Sequence, residues 1–317
     1  MSFSNIISRS DATALIPEDV ASEIIKGLPQ ASAALALFRQ VRMSRAQQRM
    51  PVMAALPVAY FVNGDTGLKA TSEAGWTNKY LNAEEIATIV PIPEAVLDDA
   101  SFDIWTEVRP WITAAVGQTL DAAVFLGTNK PNTWPTAIAP AAVAAGNVVA
   151  QGTNNPAAGG VVGDISDLFA AVENQGYDVN GVIAHRRFKG LLRQARGTTG
   201  EQLGAADPGT EVEVSPAQVY GVPVTYPLRG LWPTGATPHE MIVGDFTEGI
   251  LGVRQDLTWK MLDQAVIQDN TGVIQYNLAQ QDMVAMRVVA RFAFEVAQTP
   301  TPEMPAGAYP FGVMQGV

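Results

Sequence analysis

The sequence predicts an α+β fold in which one long amphipathic helix and several long strands share a core, and three observations predict it. From Ser101 to Leu126 the apolar residues Phe102, Trp105, Val108, Ile112, Val116, Leu120 and Val124 recur at three-and-four spacing, the period of a helix with one buried face. Ile86, Thr88, Val90 and Ile92 alternate at period two, as do Met286, Val288, Ala290, Phe292 and Phe294 further on, which marks strands with one face on a core. Residues 37–63 mix Val, Met, Tyr and Phe with Pro51 and Pro57 and run into Asn63-Gly64, the composition of extended edge strands entering a turn.

In chain order, Pro17 heads a short predicted helix over Glu18 to Lys26, ended by Gly27 and Pro29. The strand-turn-strand excursion follows, with its tip at residues 63–67 (NGDTG) and a return arm through Trp76 toward Leu81. Asp98 and Asp99 precede the long helix, where carboxylates would cap its free N–H groups. Pro110 predicts a kink or break near Arg109, and Gly127 the stop. Residues 128–163, rich in Pro, Gly, Asn and Ala, read as loops with short strands and as an internal boundary. Beyond them come a helix from Asp164, a turn at Asn180-Gly181, a buried strand over Val182 to Ala184 and a helix over Arg186 to Arg196. Strands follow at Gly221 to Tyr226, Met241 to Val243, Ile250 to Val253, Val273 to Leu278 and Met283 to Ala297, and the Pro-rich end of the chain reads as irregular.

Composition bounds the function. The chain has 317 residues, 47% of them hydrophobic, and no cysteine, so disulfide frameworks, thiolate metal sites and cysteine nucleophiles are unavailable. No apolar run is long enough to span a membrane, and the first residues lack the order of a signal peptide, so the expectation is a soluble intracellular product without membrane contact. Only 16% of residues are charged, against about 25% in ordinary domains. Either the sequence is simply rich in Ala and Gly, or a large surface is covered by other subunits. The net charge is −11, but residues 1–60 carry six basic and four acidic residues for +2, leaving −13 for the rest. That acidic bulk argues against a protein that coats nucleic acid with its whole surface.

Catalytic patterns are missing. The run Gly64-Asp65-Thr66-Gly67-Leu68-Lys69 has the wrong spacing for a phosphate loop. His185 and His239 have no carboxylate at metal-ligand spacing, and no Ser or Asp motif frames either as a base. Glu84 and Glu85 are neighbours in a strand and point to opposite faces, so they would not share a proton. No catalytic, cofactor-binding or metal site is therefore assigned. Two basic clusters do stand out: Arg39, Arg42, Arg45 and Arg49, and then Arg186, Arg187, Lys189, Arg193 and Arg196 with no acid between Asp178 and Glu201. As helical faces they could meet nucleic acid, and they could equally pair with the acidic remainder of a neighbouring subunit.

The order of these parts resembles the major capsid proteins of tailed phages with the Hong Kong 97-type fold. TSEAGWTNK (71–79) is similar to the segment closing that family's extended loop, and IVPIPEAVLDDA (89–100) to the strand and acidic step before its spine helix. DAAVFLGTNKPNTWPTAI (121–138) resembles the helix end and Gly-rich turn, and GVIAHRRFKGLLRQARGTTGEQL (181–203) the next strand, helix and turn. QVYGVPVTYP (218–227), MIVGDFTEGILGVRQDLT (241–258) and MVAMRVVARFAFEVAQ (283–298) are similar to later elements in the family's order.

The resemblance implies an N-terminal arm over residues 1–37 and an extended β-hairpin loop over 50–82. It implies a peripheral domain from 38–49, 83–160 and 265–300 with a spine helix at about 101–126, an axial domain over 161–264 and a C-terminal tail over 301–317. The implied function is self-assembly as homopentamers and homohexamers into an icosahedral phage head, formed in the host cytoplasm and enclosing double-stranded DNA contacted non-specifically. Portal, scaffold or decoration proteins are further implied partners, and no cofactor is. A projecting two-stranded excursion cannot bury its own apolar face and needs a neighbour, so intersubunit contacts are expected from Tyr60, Val62, Leu68, Lys69, Trp76 and Lys79. No motif supplies an Asn partner for Lys69 or Lys79, so covalent cross-linking is not expected. An encapsulin-type shell around cargo enzyme is the alternative within this class. A soluble enzyme or carbohydrate-binding module, supported only by loop residues Trp134 and Trp232, is the alternative outside it.

Overall fold

The computed structural model describes residues 32–59, 61–62, 69, 71–72, 74–99, 103–155, 159–194, 217–227, 239–269, 271–304 and 308–316. The expected helix over 18–26, the loop tip at 63–67 and Trp232 lie outside them. Two sheets carry the fold. The first has four strands in the order β1 (Arg39–Arg42), β10 (Gly249–Leu262), β13 (Met283–Val296) and β4 (Glu84–Pro93). The second has six, in the order β5 (Val148–Ala150), β14 (Phe311–Gln315), β9 (His239–Gly244), β6 (Gly181–Ala184), β8 (Val222–Thr225) and β7 (Gln218–Val219). Two hairpins project separately: β2 (Gln47–Ala55) with β3 (Gly75–Asn82), and β11 (Val266–Gln268) with β12 (Ile274–Asn277).

The long helix α3 (Ile104–Asp121) lies on one face of the four-stranded sheet, burying Ile112, Val116 and Leu120 against Met286, Val288, Ala290 and Phe292. Its cap is Asp103, whose side chain accepts from the Trp105 N–H at 2.9 Å. Asp98 and Asp99 instead end a separate short helix, α2 (Glu94–Asp99), so the predicted capping role moves to Asp103. The expected break near Arg109 does not occur, and the helix runs through Pro110. Proline costs it one bond to the Thr106 carbonyl, which sits on an exposed turn where water can replace the donor. The irregularity comes at the other end, in a π turn over Ala122–Leu126 that brings Ala123, Val124 and Phe125 into the core before Gly127 turns left-handed at φ 79°.

Three further expectations change. Residues 128–163 are not merely loops: Ile138–Ala144 forms helix α4, and Trp134 is buried with its indole N–H donating to the Asn82 carbonyl at 3.0 Å. Pro140 fits within the first turn of α4, where no N–H is needed, and burial removes Trp134 as a surface platform. The chain end is not irregular, because Phe311–Gln315 is an interior strand between β5 and β9. A strand buried on both faces reads as an unbroken apolar run too short to show a period. Strand β10 continues to Leu262 and pairs with β13 throughout, so residues 249–262 belong to the four-stranded sheet although they fall within 161–264.

The two sheets share one core. Phe38 follows the short helix α1 (Ala33–Leu37), and its ring lies 5.5 Å from Phe125, 6.0 Å from Phe294 of β13 and 6.3 Å from Phe311 of β14, touching residues of both sheets. A smaller core lies under α5 (Val161–Glu173) and α6 (Phe188–Gln194), which cover the six-stranded sheet through Leu168, Val172, Phe188 and Leu192.

Candidate interaction surfaces

The β2–β3 hairpin is built in a register that pairs Gln47 with Asn82 and Ala55 with Gly75, slipping once between Met53 and Ala55. Pro51 is tolerated because neither strand has a second neighbour among the described residues. Only the base of the hairpin is anchored: Val52 and Leu81 are buried with Ile250, Ala293 and Ala297. Lys79 Nζ adds polar contacts to Gln298 Oε1 at 3.2 Å and Glu295 Oε1 at 3.4 Å. Beyond the base the apolar side chains stand in solvent. Trp76 is 67% exposed, Val58 and Val62 are exposed, and Phe61 is fully so. The Val58 N–H bonds Ser72 Oγ at 2.6 Å, holding the outgoing and returning arms together.

Of the expected loop contacts, Val62, Lys69 and Trp76 are exposed, whereas Lys79 turns back to its own subunit. Tyr60 and Leu68 lie outside the described residues. Sequence reasoning passed over Phe61 because period-two alternation set Tyr60 and Val62 on the favoured face. It also passed over Trp111, 76% exposed on the outer side of α3, where a helix wheel offers no clue to what will cover it.

The first basic cluster is not a helical face, whereas in the second Lys189 and Arg193 do lie on the helix α6. Arg39 and Arg42 lie on β1, Arg49 lies on β2, and Arg45 lies between them, all exposed; among the described residues only Arg42 has an ion-pair partner, at 2.7 Å from Asp256. In the second cluster, Arg187 Nε donates to Glu240 Oε2 at 2.9 Å, and its Nη2 contacts Oε1. Glu240, 1% exposed on β9, is the acid that the stretch from Asp178 to Glu201 lacked, supplied across the sheet. Lys189 Nζ sits 4.2 Å from the Tyr226 ring centre, and Arg193 Nε donates to the Lys189 carbonyl at 3.0 Å. Arg186 is exposed and Arg196 lies outside the described residues.

His185 and His239 come close through pairing rather than chemistry. The His185 N–H donates to the Glu240 carbonyl, and its Nδ1 accepts from the Arg187 N–H. Burial holds both imidazoles below their usual pKa, with Arg187 adding to the effect at His185. Glu84 and Glu85 diverge as strand neighbours must: Glu84 accepts from Thr133 and Glu85 pairs with Arg291. Among the described residues no helix is long and apolar enough to cross a membrane.

What the molecule offers is thus a projecting hairpin with exposed apolar side chains on a two-sheet body that shares one core. The model of the phage capsid family matches residues 12–300. A solved structure from Microbacterium phage Oxtober96 is 36% identical, with 99% of this chain and 100% of that chain covered and a TM-score of 0.78. One from Mycobacterium phage Cain is 32% identical, with 99% of each chain covered and a TM-score of 0.77. The capsid of a native GTA particle, computed with C5 symmetry, shares the fold at 18% identity, with a TM-score of 0.58 over 96% of this chain and 93% of that one. No curated protein sequence matches the chain.

Proposed function

Because the chain belongs to the phage capsid family and is a capsid-forming structural protein of a phage virion, we propose that it closes, as pentamers and hexamers of one subunit, into an icosahedral shell around double-stranded DNA, assembled in the host cytoplasm. The observation that carries this reading is the hairpin. Trp76 on β3, and Val58 and Phe61 just past the end of β2, are apolar and exposed, and a two-stranded ribbon is too thin to bury them. Repetition of one subunit around closed symmetry axes covers such a surface, because each projecting arm meets the same receiving face on the next copy. The fold is of the Hong Kong 97 type. In this reading α3 and the four-stranded sheet form the periphery of each capsomer, and the six-stranded sheet with α5 and α6 lies toward its axis. Arg39, Arg45 and Arg49, which form no ion pair with any described residue, serve subunit contacts or the packaged phosphates. No catalytic role is assigned to any residue.

Negative-stain electron microscopy with sedimentation velocity on the purified chain tests the reading. Closed shells or capsomer rings are the expected result, with nucleic acid inside. Protein cargo would indicate an encapsulin-type shell, and a compact monomer at high concentration would overturn the assembly reading.

A further inference from the structure

Among the described residues, the four-stranded sheet has one face closed by α3, while the other is covered at one end by the base of the β2–β3 hairpin, over Ala293, and at the opposite end by the β11–β12 hairpin, over Met283 and Ala285, with an open stretch between them. On the open stretch, Lys260 of β10 stands directly opposite Arg287 of β13, and Arg287 stands opposite Ile89 of β4. All three are exposed, Ile89 at 42%. Directly opposed side chains on antiparallel neighbours come within about 5 Å at Cβ, so two cations in this position repel. Among the described residues neither has an ion-pair partner. Four residues along β13 the sheet does the opposite: Arg291 Nε and Nη2 reach Glu85 Oε2 at 2.9 and 2.6 Å. One arginine of this face is neutralised within the subunit, and the Lys260–Arg287 pair is left open.

We propose that Lys260 and Arg287 form a carboxylate-binding site that receives an acidic side chain from a second copy of this chain, with Ile89 as its apolar edge. A single carboxylate can bridge the guanidinium and the ammonium, offsetting their repulsion with charge-assisted hydrogen bonds. The chain itself supplies the partner: it has 31 acidic residues against 20 basic ones, so every neighbouring copy presents an excess of carboxylates. Nucleic acid fits this face less well, because phosphate tracking needs a continuous positive surface and here Glu85 and Glu295 share the face with the cations. The proposal rests on the reading of the chain as a shell subunit and names the contact rather than the shell.

The test compares the full-length wild type with Lys260→Glu, which gives Arg287 a partner inside its own subunit, and with the Lys260→Gln/Arg287→Gln double variant. Subunit melting, sedimentation velocity across salt concentrations and DNA retention by assembled particles are measured for each. Both variants are expected to melt at or above the wild-type temperature, because a repulsion is removed, and to self-associate about tenfold more weakly with a flatter salt dependence. Folded variants that associate as the wild type does overturn the proposal alone. Unchanged association with lost DNA retention also overturns it, reassigning the pair to phosphate. A wild-type chain that stays monomeric overturns the shell reading together with this one, so the two failures are distinguishable.

Discussion

Asp121, the last residue of α3, accepts a hydrogen bond from Ser32 Oγ at 2.6 Å, joining the spine of the molecule to the point where the described chain begins, 89 residues earlier. The same carboxylate accepts from the Ala33 and Ala34 N–H groups at 2.8 and 3.0 Å. It therefore supplies from outside the partners that the first turn of α1 cannot find within itself. Truncation by Asp121→Ala leaves three buried donors without acceptors and is expected to cost about 3 kcal/mol in chemical denaturation. Ser32→Ala, which leaves the two backbone donors satisfied, is expected to cost about 1 kcal/mol.

The same site makes stability depend on pH. Burial pushes the Asp121 carboxyl up from 3.8 to about 6, outweighing the three hydrogen bonds that favour its ionised form. A raised folded-state pKa means that the folded protein binds this proton more tightly than the unfolded chain. Its stabilising contribution is thus fully present below about pH 3.8 and is lost as pH rises through about 6. Relative to Asp121→Asn as a reference that does not titrate, wild-type melting temperatures are expected to improve from pH 7 to pH 4.5. A flat or falling difference would show that the carboxylate is not desolvated.

Glu240 and Arg187 form a pair in which only the acid is fully buried. Removing the base by Arg187→Ala leaves that charge uncompensated and is expected to cost about 3 kcal/mol, whereas Glu240→Leu with Arg187→Leu recovers most of it. Equilibrium unfolding of the two variants checks the order.

Gly244 sits at φ 156° where β9 meets the chain end, and a Cβ there would overlap the Pro310 carbonyl oxygen and approach Phe311 Cα within 2.9 Å. Neither is the movable end of a side chain. Gly244→Ala is expected to lower stability by about 3 kcal/mol and to loosen β14 first, read as faster hydrogen exchange at residues 311–315.

The hairpin can be shortened without unfolding the body. Ala55 pairs with Gly75, so replacing residues 56–74 by Asn-Gly closes a tight turn while keeping Val52, Leu81 and Lys79 in place. Cutting residues 55–80 would instead remove most of β3 and the Lys79 anchor. The short replacement is expected to melt within about 1 kcal/mol of the wild type and to form no closed shells under the electron microscope. Normal shells would remove the hairpin from assembly.

How much of this was legible depended on where each signal is written. The strands at 84–93 and 283–296 and the helix to Asp121 could be read because burying one face of an element leaves a period of two or 3.6 in its own residues. The turn at Gly127 could be read because a left-handed residue favours glycine. The ordered family segments pointed to the capsid class although no single one would have done so. Phe311–Gln315 could not be read, since a strand buried on both sides has no period to show. The burial of Trp134 depended on a carbonyl 52 residues away.

By itself, the sequence determined the α+β class, the excursion between β2 and β3, and the excess of acid over base, because local period, turn chemistry and charge count are properties of neighbouring residues. The tertiary structure alone decided that Arg187 meets Glu240, that Lys79 reaches Glu295 of β13, and that Lys260 stands opposite Arg287 with no described acid paired to either. Each of those outcomes depends on strand register between distant segments. A shift of one residue in β10 against β13 would send Lys260 to the helix-covered face, and nothing in the spacing of charges along the chain specifies that register.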